Sequence, residues 1–329
     1  MRVKRLFFLS LFSLLIWISL IPITAVVAQQ EESPSVQASD PFVISLRVEL
    51  VVLDVTVQNK DGGFISNLTQ DNFQIFENGQ PQELKVFQKG DVPVTAGLVM
   101  DSSGSMRMIK RQVVAAGMAF VESMNPQDEI FVVNFNETPR FSLPNGQCFS
   151  NKPEELQTAL NRVFPAGRTA LYDSLVLSLE HLKRGKNDKK ALLVISDGGD
   201  NASRRRFSEA LDLVEKSRVM LYSIAIFDPI NRERNPKVLK RLSRSSGGEF
   251  FSPASITEVT TICSQVARDI RNQYTLGYRS SNPAQDGTFR AIKVIVNAPG
   301  SSKFHVRTRE GYVAAKESDS NNRSAHINP

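Results

Sequence analysis

The chain of 329 residues has only two cysteines, three histidines and one tryptophan, and this scarcity argues against several kinds of site. His181, His305 and His326 are far apart, and neither they nor the cysteines have the spacing of zinc ligands. No serine stands in the G-x-S-x-G turn that exposes the nucleophile of many hydrolases. The sequence therefore favours neither a zinc centre nor a Ser-His-Asp hydrolase.

The two cysteines, Cys148 and Cys263, could form one disulfide if the protein is exported, because extracytoplasmic compartments permit such bonds. A single pair carries no spacing pattern, so two unpaired, buried thiols are the alternative.

The net charge of the chain is also small. The formal net charge is +6, and Arg2, Lys4 and Arg5 supply half of it. Without these three residues the chain is only mildly basic, so the composition does not predict nucleic-acid binding.

The N-terminus has the pattern of a secretory signal peptide. The three cationic residues precede an apolar stretch at residues 6–23, and Val26 and Ala28 suit a small-residue cleavage site. We expect cleavage after Ala28, which removes residues 1–28 and makes the protein secreted or periplasmic. The apolar stretch is long enough to span a bilayer if it stays uncleaved, so an N-terminal membrane anchor is the alternative and the only expected contact with a membrane.

From Val94 onward, short apolar runs alternate with amphipathic segments, which predicts a doubly wound α/β domain with a mostly parallel sheet. The predicted strands are residues 94–101, 129–135, 191–197, 220–227 and 248–251. The predicted helices lie within residues 108–124, 152–163, 170–183, 208–217, 235–244 and 256–273.

The stretch "DSSGSM" at residues 101–106 begins at the last residue of the first predicted strand. Asp101 and Asp197 each end a predicted strand, and ligands of such sheets bind outside the carboxyl ends of the strands. Ser103 and Ser105 alternate along the loop, and Gly104 is expected to allow a tight turn. Hydroxyl and carboxylate oxygens suit a hard cation, for which we predict Mg²⁺, with Mn²⁺ or Ca²⁺ as alternatives. The structural alternative is that the serines only cap the following helix.

This stretch resembles the D-x-S-x-S element of von Willebrand factor type A domains, a family with a metal-ion-dependent adhesion site (MIDAS). The resemblance implies that a threonine and an aspartate from two later loops complete the site. "AGRTALYDSL" matches the threonine loop and gives Thr169, and "LLVISDGGDNAS" matches the aspartate loop and gives Asp197. Asp200 follows in the same loop and is a second carboxylate that could face the site.

The segments on either side of this domain alternate apolar and polar residues, with "KDGG" and "ENGQ" as hairpin turns. We predict one discontinuous β-sandwich made of residues 42–91 and 273–314, with the von Willebrand factor A domain at residues 92–272 inserted between them. The first segment also resembles the Ig-like region of a secreted bacterial "VWFA-related" group. Residues 29–41 are expected to be a linker, and residues 315–329 a disordered tail.

The family resemblance implies binding rather than catalysis: a protein partner would offer an acidic residue to the metal. A rim for this partner is predicted from residues near the two later loops, namely Arg168, Asp200, Arg204, Arg205 and Arg206. Three arginines at a helix start oppose the helix dipole, which suggests an acidic partner. The alternative is that the helix begins at Ser208 and the arginines belong to a loop.

Two other functions remain open. The protein could have a structural or assembly role in the cell envelope, with a metal that only stabilises loops. A metal-assisted hydrolase is the third hypothesis. No histidine or glutamate near the motif loops offers a general base, so we expect a protein that is not an enzyme.

Overall fold

The computed structural model describes residues 50–162, 164–226 and 234–316. The predicted signal peptide at residues 1–28 and the predicted linker at 29–41 lie outside the described residues, as do most of the predicted tail and the end of the strand predicted at 220–227. Within the described ranges, no helix combines the length and the apolar character needed to cross a bilayer.

Strands and helices occur close to the predicted positions. The strands are β1 (Leu50–Gln58), β2 (Phe73–Glu77), β3 (Gln80–Gln82), β4 (Leu84–Lys89), β5 (Val94–Asp101), β6 (Glu129–Phe135), β7 (Arg140–Phe141), β8 (Lys189–Ser196), β9 (Met220–Ala225), β10 (Phe250–Phe251), β11 (Tyr274–Arg279), β12 (Phe289–Val296), β13 (His305–Arg307) and β14 (Gly311–Val313). The α-helices are α1 (Lys110–Glu122), α2 (Pro153–Asn161), α3 (Leu171–Leu182), α4 (Phe207–Lys216), α5 (Pro236–Ser246) and α6 (Glu258–Arg271).

The central sheet has the strand order β10-β9-β8-β5-β6-β7 and is parallel except for β7. Every residue of β5 is buried, because helices cover both faces of the sheet. The predicted doubly wound α/β fold is confirmed. The chain passes from β5 to β6 on one side and later returns to β8 on the other, so the strand order reverses at β5. The crevice of such a sheet lies beyond the carboxyl end of this strand.

Close packing at the middle of β5 depends on Gly97. A Cβ atom there would lie 2.4 Å from the ring of Phe131 and 2.5 Å from a methyl carbon of Leu192. The absence of a side chain lets residues of both neighbouring strands fill the space over β5, which fixes the strand that carries Asp101.

Besides the central sheet, the described residues form two antiparallel sheets with the orders β13-β1-β11-β4 and β14-β12-β2-β3. Each sheet contains strands from both sides of the α/β region. For example, β1 pairs with β11, and β2 pairs with β12. Leu53 and Leu276 of the first sheet share an apolar core with Ile75 and Val296 of the second. The two sheets therefore form one sandwich built from both parts of the chain.

Both cysteines are unpaired, as in the alternative to the possible disulfide, although Cys148 is only half-buried. Cys263 is buried in α6, which packs against α1. The carbonyl oxygen of Cys148 lies 2.8 Å from Nε2 of His181 in α3. The side chain of Met100 in β5 faces α1, whereas Phe131 contacts His181 on the opposite face. The sheet therefore separates the two thiols.

Candidate metal centre

Asp101 ends β5 and is almost fully buried, with 1% of its surface exposed. Its Oδ1 accepts a hydrogen bond of 2.8 Å from the backbone N–H of Ser103. Its Oδ2 accepts one of 2.7 Å from the hydroxyl of Ser196, which ends the neighbouring strand β8. These two donors hold the carboxylate in one orientation at the point where the strand order reverses.

A chain of hydroxyl groups connects this loop to the second acidic loop. The hydroxyl oxygens of Ser103 and Ser105 are 2.9 Å apart. The Ser105 hydroxyl donates to Oδ2 of Asp197 at 3.1 Å, and Oδ1 of Asp197 accepts the backbone N–H of Gly199 at 2.9 Å. The structure thus brings four of the five predicted metal ligands into one connected group.

Thr169, the fifth predicted ligand, is 7% exposed in the loop before α3. Its backbone N–H donates to Oδ1 of Asn201 at 2.8 Å, and its carbonyl accepts the N–H of Asn201 at 2.9 Å. The N–H of Gly104 donates to the carbonyl of Gly167 in the same loop at 3.1 Å. The threonine loop is therefore hydrogen-bonded to both acidic loops.

Burial raises the pKa of Asp101 to about 6, and the like charge of Asp197 acts in the same direction. Two carboxylates that face one group of hydroxyls with little solvent repel each other, and a cation between them would remove that cost. The donors are all oxygen atoms, which fits Mg²⁺, Mn²⁺ or Ca²⁺. In the described part of the chain, no three carboxylate, imidazole or thiol side chains converge, so any metal here would depend on the hydroxyls as well.

The helix-cap interpretation of the serines does not match their contacts. A 3-10 helix, Gly104–Ile109, precedes α1, and Ser103 at its start makes no side-chain capping bond. Ile109 is the residue before α1. A tight turn does occur at Gly104, but it does not use glycine's conformational freedom, because Gly104 does not adopt a positive φ. Its exposed backbone instead reaches the threonine loop through the bond to Gly167.

Asp200, a predicted rim residue, is half-buried and bonds to the start of α3 rather than to the hydroxyl cluster. Its Oδ2 accepts the backbone N–H of Tyr172 at 2.9 Å and the hydroxyl of Ser203 at 2.6 Å. Asp200 therefore satisfies the first turn of α3, where free backbone N–H groups need acceptors. The contact from Ser105 identifies Asp197 as the carboxylate on the cluster side of this loop.

The four predicted rim arginines are exposed around these loops. Nε of Arg168 lies 3.6 Å from Oε1 of Glu137. Helix α4 begins at Phe207, so Arg204 and Arg205 precede the helix and Arg206 is its N-cap residue. The helix therefore begins one residue before Ser208 and after the three arginines, which agrees with the loop alternative to within one residue.

The sequence pattern did not identify two residues that hold these loops in place, Asp173 and Ser196. Asp173 accepts the backbone N–H groups of Arg204 and Arg205 at 3.0 and 2.9 Å and so shapes the arginine loop. Ser196 bonds to Asp101, and strand register could have revealed it. Met100 aligns with Ile195 in the parallel pair β5–β8, so the next residue on each strand is Asp101 and Ser196.

Known proteins share both the sequence and the fold of this region. The family model for the von Willebrand factor type A domain matches residues 97–265, just over half of the chain. An uncharacterised protein of Synechocystis sp., sll0103, is 22% identical over 157 residues, which are 47% of this chain and 35% of that protein. This chain therefore matches about a third of the length of that curated relative.

Among solved structures, a von Willebrand factor type A protein from Catenulispora acidiphila has a TM-score of 0.50 at 10% identity, covering 83% of this chain and 76% of that one. The von Willebrand domain of the type V pilus tip protein Mfa5 from Porphyromonas gingivalis has a TM-score of 0.47 at 14% identity, covering 55% and 95%. The fold, the strand-end position of the acidic loops and the family match agree with one another. This chain belongs to the von Willebrand factor type A domain family.

Proposed function

We propose that this chain is an exported binding protein that uses a divalent cation to hold a carboxylate of a partner protein. Domains of its family often mediate adhesion between proteins. The proposed cation is Mg²⁺, with Mn²⁺ or Ca²⁺ as alternatives, and its proposed donors are Asp101, Ser103, Ser105, Thr169 and Asp197.

The observation that carries the proposal is the buried pair of carboxylates at the carboxyl edge of the sheet. Asp101 and Asp197 are 1% and 2% exposed and are connected through the hydroxyls of Ser103 and Ser105. Such an arrangement is costly without a positive charge, and all of its donors are hard oxygen ligands. When bound, the cation would supply a positive charge and a coordination position for an anionic oxygen.

The protein's own groups would orient this site. Ser196 and the backbone of Ser103 hold the Asp101 carboxylate, and Gly199 holds that of Asp197. The hydroxyls of Ser103 and Ser105 are neutral, so they would bind the cation without adding to the two negative charges of Asp101 and Asp197, and the cation could still accept an acidic side chain of the partner. Export is proposed from the signal-peptide pattern of residues 1–28.

A non-enzymatic role agrees with the surroundings of the histidines in the described ranges. His181 of α3 contacts the Cys148 carbonyl, and His305 lies in β13 of the sandwich. Neither is on the loops that carry the proposed ligands, where a general base for hydrolysis would be needed. The expectation that no glutamate lies near these loops is wrong, because Oε1 of Glu137 accepts the backbone N–H of Arg168 at 3.3 Å.

Isothermal titration with Mg²⁺ tests the proposal with two adjacent serines. Ser103→Ala removes a proposed ligand and should weaken binding, and Asp101→Ala should abolish it. Ser102→Ala is the matched control, because the Ser102 hydroxyl donates to the Phe135 carbonyl at 2.8 Å and points away from the cluster. Equal Mg²⁺ affinity in all four proteins would contradict the metal site.

A second experiment separates adhesion from a structural role. Wild-type protein and Asp101→Ala are immobilised, exposed to an envelope extract in Mg²⁺ and washed with EDTA. Release of bound protein by EDTA from the wild type alone supports metal-dependent binding. Retention that neither EDTA nor the substitution changes would favour a structural role in the envelope.

A further inference from the structure

Two apolar side chains next to the candidate metal centre are far more exposed than others of their size. Met108 is 81% exposed and Phe164 is 80% exposed. The other exposed large apolar side chains in the described ranges are 37–49% exposed. Isolated surface apolar residues are common, but large side chains that project into solvent beside a ligand site are typical of interaction surfaces.

Both side chains belong to the loops that form the metal centre. Met108 lies in the 3-10 helix that contains Ser105, and Phe164 lies in the loop that leads to Thr169. Backbone hydrogen bonds join these two loops: Gly104 N–H to the Gly167 carbonyl at 3.1 Å, and Ala166 N–H to the Ser102 carbonyl at 3.0 Å. We call Met108 and Phe164 the apolar pair.

The surroundings of the apolar pair are positively charged. Arg107 and Arg204 are exposed and form no ion pair with the described residues. Arg168 and Arg205 pair with Glu137 and Glu209, but these pairs are exposed and therefore weak. These arginines would attract an acidic partner, whereas the buried carboxylates of Asp101 and Asp197 would repel its acidic side chain until a cation is bound.

Access to the proposed ligands is narrow. Ser103 is 2% exposed and Thr169 7% exposed, whereas Gly104 is exposed and Ser105 half-buried. An occupant must therefore enter beside Gly104 with one slender acidic side chain. The residues on either side of this acidic side chain in the bound partner would then contact the apolar pair.

We propose that the partner is a protein loop in which an aspartate or glutamate enters the metal centre and apolar side chains next to it cover Met108 and Phe164. This inference rests on the proposed function and adds the sequence class of the partner. A flat membrane surface fits less well, because a headgroup phosphate cannot reach buried ligands while its neighbours stay in the bilayer plane. Contact with the apolar pair would supply affinity that a single carboxylate lacks.

Selection from a random peptide library displayed on phage tests the inference. Wild-type protein is the bait in Mg²⁺, and bound phage are eluted with EDTA. We expect enriched peptides with an acidic residue flanked by leucine, isoleucine, methionine or an aromatic residue. Met108→Ser and Phe164→Ser should each weaken binding of an enriched synthetic peptide about tenfold, the value of burying one large apolar side chain. Their Mg²⁺ affinity in isothermal titration should be unchanged.

Phe289→Ser is the matched control, because Phe289 is 49% exposed in β12 of the sandwich and should not affect peptide binding. Enriched acidic peptides without apolar neighbours, or serine variants that bind peptide normally, would overturn the inference and leave the proposed function intact. The inference is overturned in the same way if the wild type binds Mg²⁺ but EDTA elutes no peptide. Failure to bind Mg²⁺ would overturn both. Binding to phosphatidylglycerol vesicles that depends on the apolar pair would overturn the inference by assigning these side chains to a membrane.

Discussion

Replacing Asp101 by asparagine should make the metal-free protein more stable and should abolish its response to Mg²⁺. The substitution keeps the size of the side chain and removes one of two neighbouring buried charges. Its amide oxygen can still accept the N–H of Ser103, and its amide N–H₂ can donate to the hydroxyl oxygen of Ser196, which donates to the carboxylate in the wild type.

The expected change in the free energy of unfolding follows from the pKa of the Asp101 carboxyl. Burial and Asp197 raise the pKa of Asp101 from 3.8 to about 6. A rise of this size means that the charged form costs about 3 kcal/mol of folding free energy at pH 7.5. A less favourable hydrogen bond to Ser196 would cost the variant about 1 kcal/mol. We therefore expect Asp101→Asn to raise the free energy of unfolding by about 2 kcal/mol in the absence of metal.

The raised pKa of Asp101 also determines how its contribution to stability changes with pH. Because the folded-state pKa lies above the unfolded-state value, the native state holds the proton more tightly between about pH 4 and 6. The contribution of Asp101 to the stability of the metal-free wild type should therefore rise as the pH falls through this window. The variant has no carboxyl to titrate there, so its advantage should shrink from pH 7.5 to pH 5.

Urea unfolding in EDTA, at pH 7.5 and pH 5 and again with excess Mg²⁺, measures these differences. Asp212→Asn is the control, because Asp212 forms an exposed ion pair with Lys216, and its loss should change stability by less than about 0.5 kcal/mol. Mg²⁺ should stabilise the wild type and the control but not Asp101→Asn. A variant that is less stable than the wild type in EDTA at pH 7.5 would refute the account of buried repulsion. Equal stabilisation by Mg²⁺ in all three proteins would refute the metal site.

Three further outcomes are expected. Gly97→Ala should lower the unfolding free energy by about 1–3 kcal/mol in urea, because its Cβ would meet the Phe131 ring at 2.4 Å, whereas Gly104→Ala has 3.5 Å to the nearest atom and should be nearly neutral. Glu77→Ala should cost about 3–5 kcal/mol, since it leaves the buried guanidinium of Arg290 with only the exposed carboxylate of Asp286 at 3.7 Å in place of Glu77 at 3.2 Å; a loss below about 1 kcal/mol would show that the buried pair is dispensable. N-terminal sequencing of the exported protein should begin at Gln29, and a protein retained in membranes with residues 6–23 would instead be anchored.

The sequence predicted the α/β region well because its signals are local. Strands such as β5 and β6 are continuous apolar runs, and their carboxyl ends meet at one edge of a parallel sheet. The position of Asp101 and Asp197 at strand ends therefore predicts from the sequence alone that they lie at the same edge of the sheet. The short antiparallel strand β7 was not predicted, because two exposed residues carry no periodic signal.

The roles of individual polar residues were harder to predict because they depend on contacts between distant loops. Asp197 and Asp200 are three residues apart and chemically identical. Only the positions of Ser105 and Tyr172 decide that one carboxylate faces the hydroxyl cluster and the other satisfies the start of α3. The same holds for Asp173, which looks like a solvated helix residue in the sequence and in fact binds two backbone N–H groups of the arginine loop.

The candidate metal centre and the sandwich lie at opposite ends of the central sheet, which makes binding and attachment separable. The chain enters β5 from β4 and leaves α6 for β11, and both connections are at the amino end of the parallel strands. Side-chain contacts follow the same pattern: Arg307 of β13 donates to the Gly247 carbonyl just before β10, and Arg218, just before β9, donates to the Leu50 carbonyl. Asp101, at the carboxyl end, is remote from all of these bonds. The proposed partner could therefore approach the candidate metal centre along the strand direction without meeting the sandwich, and we expect substitutions at the candidate centre to change binding while the attachment of the sandwich stays intact.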